Sequence, residues 1–157
     1  MQSLLLPWWK KKIKPANVPS VLYDLEVEFA RTGLTQEEAI SEYGEESIII
    51  EKASFSSNDR ARTESHTDGY IQIISRRLTL QIIGAEIVGK SAGEMISVVT
   101  LCINQGISLY RLRSMIVPYP TRSDLMKRLA DKMVLSTLRG LKIEIRWYIG
   151  KRIPLLI

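Results

Sequence analysis

Short β-branched runs and runs with helical spacing occupy separate stretches of this chain, and that separation constrains its fold most. "NVPSVLY" reads as a short extended segment, because a residue before proline is pushed toward β. "SIIIEKASF", from Ser47 to Phe55, is β-branched and short, the signature of a strand. "YIQIIS" and "LTLQIIGAEIVG" follow as two more strands joined near Arg76 and Arg77. Tyr70, Ile71, Ile73 and Ile74 enclose a single polar residue, so that strand is expected to be covered on much of both faces. The predicted order is strand, helix, three strands, then helices, which argues for an α+β fold built on an antiparallel β-sheet.

The helices carry their own signals. "GLTQEEAISEYGEES" has Thr35 as a candidate N-cap, Glu38 at the capping-box position and Gly44 where a C-cap belongs. "SAGEMISVVTLCINQG" places Met95, Ile96, Val99, Cys102 and Ile103 at helical spacing and ends at Gly106. "SLYRLRSMI" reads as a short helix capped by Ser108. A further helix is expected from Thr121 as cap, with Asp124 at the capping-box position and Leu125, Met126, Leu129, Met133 and Val134 as its apolar stripe. "LRGLKIEIRWYIGKRIPLLI" fits both a strand alternation and a helical stripe. The segment between the strands, "SSNDRARTESHTDG", reads as polar loop with room for one helical turn. Residues 1–16 read as a tail, 17–136 as the folded domain and 137–157 as a C-terminal tail.

The 157 residues suit one domain, and a hydrophobic share of 45% can supply its core. The formal charge of +5 collects in "WWKKKIK" and "RWYIGKR", leaving the middle close to neutral. Nucleic-acid binding would rest on the pI of about 9.4 alone, with no helix-turn-helix signal and no stacking-aromatic strand pattern. The aromatic and basic ends would suit an anionic bilayer surface, which makes a peripheral membrane or protein-interaction module without redox activity the alternative reading. No apolar run reaches the roughly 18 residues of a membrane span. The N-terminal charges follow the apolar run, the reverse of a secretory signal, so the expected compartment is the cytoplasm.

Candidates for chemistry are few. The single cysteine, Cys102, lies on the apolar face of its helix and reads as a structural thiol. The single histidine, His66, lies in polar loop sequence and reads as solvated. There is no dinucleotide fingerprint, and "GKSAGE" lacks the first glycine of a phosphate loop, leaving a turn with an N-cap serine. No metal site is expected. "VPYPT" stands out, because its prolines restrict the backbone around Tyr119. By local rules alone it is a rigid helix start, with Asp124 a carboxylate favoured by the helix dipole.

"NVPSVLY…ARTGLTQEEAISEYG", "NDRAR…TDGYIQI", "IIGAEIVGKSAGEMI" and "PYPTRSDLMKRLA" together resemble the C-terminal dimerisation (interface) domain of the FAD-dependent pyridine nucleotide-disulfide oxidoreductases, the family of dihydrolipoyl dehydrogenase, glutathione reductase and mercuric reductase. The resemblance runs from about Pro19 to Met133. It implies an antiparallel sheet with helices packed on one side, and a homodimer. It also implies FAD and NAD(P) in the parent enzyme but no cofactor in this chain, since the FAD, NAD(P) and redox-cysteine parts lie upstream. The chain would then be inactive alone, as part of a longer enzyme or as a gene remnant.

In that family a histidine usually precedes the Pro-Thr, enters the partner subunit's active site and is oriented by a glutamate five residues on. Carried over, these positions are Tyr119 and Asp124, acting in trans; Tyr119 and Pro120 would edge the partner's flavin, and the Tyr119–Pro120 peptide would be cis. Tyrosine departs from the family pattern, and a phenol cannot serve as a base near neutral pH without a large pKa shift. Mercuric reductases also carry tyrosine here but end in a cysteine pair, and "KRIPLLI" has none. "YDLEVEFARTG" departs as well, lacking the family's proline and running one residue long. The resemblance predicts an exposed Tyr119 with a near-normal phenol, out of hydrogen-bond reach of Asp124. Ile82, Ile83, Ile87, Val88, Met95 and Ile96 are expected to drive dimerisation.

Overall fold

The computed structural model describes residues 17–24 and 27–152. The N-terminal Trp8, Trp9 and Lys10 to Lys12, and the side chains from Arg146 to Arg152, on which the membrane-surface reading rests, lie outside what is described. Five strands form one antiparallel sheet in the order β1-β2-β5-β4-β3. They are β1 (Ser20–Asp24), β2 (Val27–Gly33), β3 (Ile48–Ser54), β4 (Tyr70–Arg76) and β5 (Ile82–Gly89). The sheet and its helices match the α+β class expected from the separated strand and helix runs.

β2 is the strand that the sequence pattern does not announce. Its inward row is Glu28, Ala30 and Thr32, with Ala30 opposite Ile87 in the core. Two of those three positions are polar, so the usual apolar alternation is lost. Glu28 has a structural task there. Its carboxylate accepts the backbone N–H of Gly93 at 2.8 Å, meeting a donor that the first turn of α3 (Ala92–Gln105) leaves without an intrahelical partner. Ser91 stands at the N-cap position with φ 64° and makes no side-chain cap, so the expected N-cap serine gives way to a carboxylate from another strand.

The remaining helices follow local signals more closely. In α1 (Gln36–Tyr43), Glu38 N–H donates to Thr35 Oγ1 at 3.2 Å and Thr35 N–H to Glu38 Oε2 at 2.8 Å, the reciprocal capping box. α2 (Asp59–Thr63) is the single helical turn of the polar segment. α4 (Leu109–Leu112) is only four residues long, and Ser108 precedes it without a side-chain cap bond. α5 (Asp124–Arg152) begins two residues later than expected, so Thr121 is not its cap; the Thr121 hydroxyl is buried without a hydrogen-bond partner. The ambiguous C-terminal stretch is helical through Arg152. At 1.5 Å per residue the 29 residues of α5 span about 43 Å. Its buried positions end at Val134 among residues 124–140.

α3 and α5 cover one face of the sheet. Ile71, Ile73, Ile82 and Ile87 meet Met95, Ile96 and Val99 of α3 and Leu125, Met126, Leu129 and Met133 of α5. On the opposite face, α1 covers one corner through Ala39, Ile48 and Ile74. The dimerisation surface expected from the resemblance therefore needs correction. Ile82, Ile87, Met95 and Ile96 are interior to one copy, and Ile83 and Val88 are half-buried. Burying each such side chain is worth roughly 1.5–3 kcal/mol, and here that stabilises the monomer's core. The rest of the second face is open. By register, Leu22, Phe29, Val88 and Tyr70 form one row across it, and Arg31, Glu86, Gln72 and Lys52 the next.

Candidate functional site

The loop from Met115 to Ser123 joins α4 to α5 and carries the prolines around Tyr119. The Tyr119–Pro120 peptide is cis, as the resemblance implies. Tyr119 is 76% exposed, as expected. Its hydroxyl is nonetheless occupied, donating to Asp59 Oδ2 of α2 at 3.1 Å. That bond, reinforced by the charge of Asp59 and more weakly by burial and by Asp124, raises the phenol above its ordinary pKa; Arg128 opposes the shift. An anion formed beside a carboxylate is disfavoured, which sets the upward direction of the shift. Asp124 shares no hydrogen bond with the hydroxyl. Its Oδ2 lies 2.8 Å from Arg128 Nε, one helical turn along α5.

The loop is held by the segment that reads as polar linker in the sequence. Asn58 is 1% exposed. Its Nδ2 donates to the Thr121 carbonyl at 3.0 Å, while its Oδ1 accepts the Ala61 N–H at 3.0 Å and caps α2. One buried amide thus satisfies a helix end and a loop carbonyl together, which is what lets it be buried. Arg122, 7% exposed, donates to the His66 carbonyl at 3.2 Å and to Glu64 Oε2 at 2.9 Å. Its guanidinium lies 5.5 Å from the centre of the Phe55 ring. The hydrogen bond from Arg122, with further help from Arg60, holds the Glu64 carboxyl below its ordinary range against the opposing effect of burial. Arg128 adds a bond to the Ser57 carbonyl at 3.0 Å. Backbone and side-chain anchors thus run from the segment 57–66 to residues 119–128.

Tyr119 and Pro120 are therefore brought together at the surface, and Asp124 stands near them without touching the hydroxyl. Asn58, Asp59, Glu64 and Arg122 are the residues that sequence reasoning passed over. The sole local signal was Asn58 before a short charged run, a plausible helix cap with no indication of a second partner 63 residues away. His66 is half-buried and enters the arrangement through its backbone carbonyl. Cys102 is buried and free, and burial pushes its thiol pKa up, which suits a structural role. A cavity of about 330 Å³ lies between α1 and the open sheet face, lined by Arg31, Thr35, Gln72 and Glu86 among others, and no residue of the Tyr119 loop reaches it. Among the described residues, no helix is long and apolar enough to cross a membrane, and no cluster of acidic, histidine or cysteine side chains is placed to hold a metal ion.

Comparison with known proteins places this geometry. The family model described as "Pyridine nucleotide-disulphide oxidoreductase, dimerisation domain" matches residues 18–130. Dihydrolipoyl dehydrogenase of Bacillus subtilis is 32% identical over 126 residues, covering 80% of this chain and 26% of that protein. The mitochondrial dihydrolipoyl dehydrogenase of Sus scrofa is 36% identical over 107 residues, covering 68% of this chain and 20% of that protein. Among solved structures, LpdA of Mycobacterium tuberculosis superposes with a TM-score of 0.71 at 22% identity, over 77% of this chain and 26% of that one. The HOCl-induced flavoprotein disulfide reductase RclA of Escherichia coli gives 0.68 at 25% identity, over 73% and 26%. The chain spans about a quarter or less of the length of these relatives.

Proposed function

The chain belongs to the dimerisation domains of the pyridine nucleotide-disulphide oxidoreductases, and from that premise we propose that it pairs with a second copy and presents Tyr119 to the partner subunit's active site in a longer, flavin-dependent NAD(P)H enzyme. The observation that carries this reading is the placement of Tyr119. An aromatic side chain that is 76% exposed sits just ahead of two anchored residues, Thr121, whose carbonyl is held by buried Asn58, and Arg122, which is tied to Glu64. Rigid presentation of an exposed aromatic has a cost in solvent and a use against a partner. The side that bears Tyr119 must then face the second copy. Leu101 of α3, Tyr110 of α4 and Ile116 of the loop are exposed apolar side chains on elements of that helix-bearing side, and they replace the buried isoleucines as the candidate contact surface.

The cavity beside α1 is lined by no residue of the Tyr119 loop. FAD and NAD(P) would be held by the remaining three-quarters of such an enzyme, where they would supply the electron transfer. Tyr119 and Pro120 would close one edge of the partner's site, with Asp124 beside them. At neutral pH Tyr119 is protonated, and the carboxylate that it faces keeps it so. It can exchange hydrogen bonds with a reacting group but is a poor base there.

Sedimentation equilibrium of the chain tests the reading. A dimer at micromolar concentration, dissociated by Ile116→Asp or Leu101→Asp, is the expected result. A strict monomer at that concentration would remove self-pairing as a property of this domain.

A further inference from the structure

We infer that Asp59, and not Asp124, is the positioning carboxylate for Tyr119, and that it turns the tyrosine hydroxyl into a hydrogen-bond acceptor toward whatever approaches it. The inference deepens the proposed function and depends on it only for what the arrangement would do in a partner's site.

The argument begins with what each carboxylate can reach. Asp124 is engaged along its own helix by Arg128, and that arginine is itself tied to the Ser57 carbonyl. Asp59 is the first residue of α2, directly after the buried cap Asn58. Thr63 Oγ1 donates to the Asp59 carbonyl at 2.8 Å, which further fixes its backbone. The cap and the first residue of one short helix thus grip the loop. Asn58 holds the Thr121 carbonyl and Asp59 holds the Tyr119 hydroxyl. The charged groups near that hydroxyl are Asp59 of α2 with Asp124 and Arg128 of α5, and Asp59 alone accepts its proton.

The chemical consequence follows from the inventory of a phenol, which has one proton to donate and lone pairs to accept with. With the proton committed to Asp59, the outward lone pairs are what an incoming group meets. Tyr119 is thereby matched to donors, such as a thiol S–H, an N–H or a cation, and mismatched to a bare anion such as a thiolate.

Tyrosine ring-carbon NMR titration of the chain tests this, with Tyr119→Phe used to assign the signal. Asp59→Asn is expected to move the Tyr119 midpoint down, and Asp124→Asn to move it less. Asp59→Glu should restore part of the wild-type shift, which a purely structural role would not require. Should Asp59→Asn disturb α2, Asp59→Ser keeps a helix-starting residue without the charge and should give the same downward shift. A midpoint unmoved by either Asp59 substitution, or moved more by Asp124→Asn, overturns the inference. The titration needs no flavin and no turnover, so its failure is distinct from failure to dimerise.

Discussion

Tyr70, on the open face of the sheet, and Tyr119, in the loop before α5, each donate a hydroxyl hydrogen bond to a carboxylate. The surroundings differ. Tyr70 meets Glu86 because β4 and β5 are neighbours whose register puts the two side chains diagonally on one face. Lys52 of the next strand lies over its ring at 3.1 Å. Tyr119 meets Asp59 only because a buried asparagine and a buried arginine hold the loop against α2. The sheet face is specified by a ladder of many bonds and the loop by a few side chains. Damage to the loop should therefore be local, and damage to what underlies both regions should be general.

Phe55 gives the largest expected effect. It is fully buried in the main cluster and lies under the Arg122 guanidinium. Phe55→Ala is expected to cost about 3–5 kcal/mol by chemical denaturation, since it leaves a cavity at the end of β3 and takes away the arginine's footing. Retention of near wild-type stability would show that the two regions do not share a core. Asn58→Ala comes next, at about 1–3 kcal/mol, because it uncaps α2 and leaves the Thr121 carbonyl without its donor. Its effect should separate the regions: amide exchange should quicken in residues 115–123 while β4 and β5 stay protected. Uniform loss of protection would mean that the loop is integral to the sheet.

The third expectation concerns pH. The hydrogen bond to Glu86, with burial and the charge of Glu86, pushes Tyr70 up to about 12 from an ordinary value of 10.0. The folded state therefore binds this proton more tightly than the unfolded state. The stabilisation is fully present below pH 10 and is lost as pH rises through about 12. Denaturation midpoints of Tyr70→Phe should accordingly fall less steeply across that window than those of the wild type, and parallel curves would count against the Tyr70–Glu86 bond. The smallest effect is expected at Tyr119→Phe, within about ±0.5 kcal/mol in the isolated chain, as for an exposed side chain. A large loss would make Tyr119 part of the core and remove its role as a presented group.

Much of the architecture is legible from the residues because its signals are short. Thr35 and Glu38 announce α1 across three positions, the isoleucine-rich runs announce β3, β4 and β5, and the apolar stripes of α3 and α5 repeat every three or four residues. The resemblance carried by "IIGAEIVGKSAGEMI" and "PYPT" identified the family, and the prolines marked the exposed loop. What sequence could not supply is who meets whom. β2 is hidden because its inward positions hold Glu28 and Thr32, and Glu28 makes sense only when it caps α3, 65 residues away. Periodicity says that Ile82, Ile87, Met95 and Ile96 are buried somewhere, and packing decides that they are buried within one copy. The carboxylate that holds Tyr119 comes from 60 residues upstream, where no spacing rule looks, and not from the carboxylate five residues on. Local propensity acts over a turn of helix or a pair of strand residues. A hydrogen bond across sixty residues exists only once the sheet and α5 have set the distance between its ends.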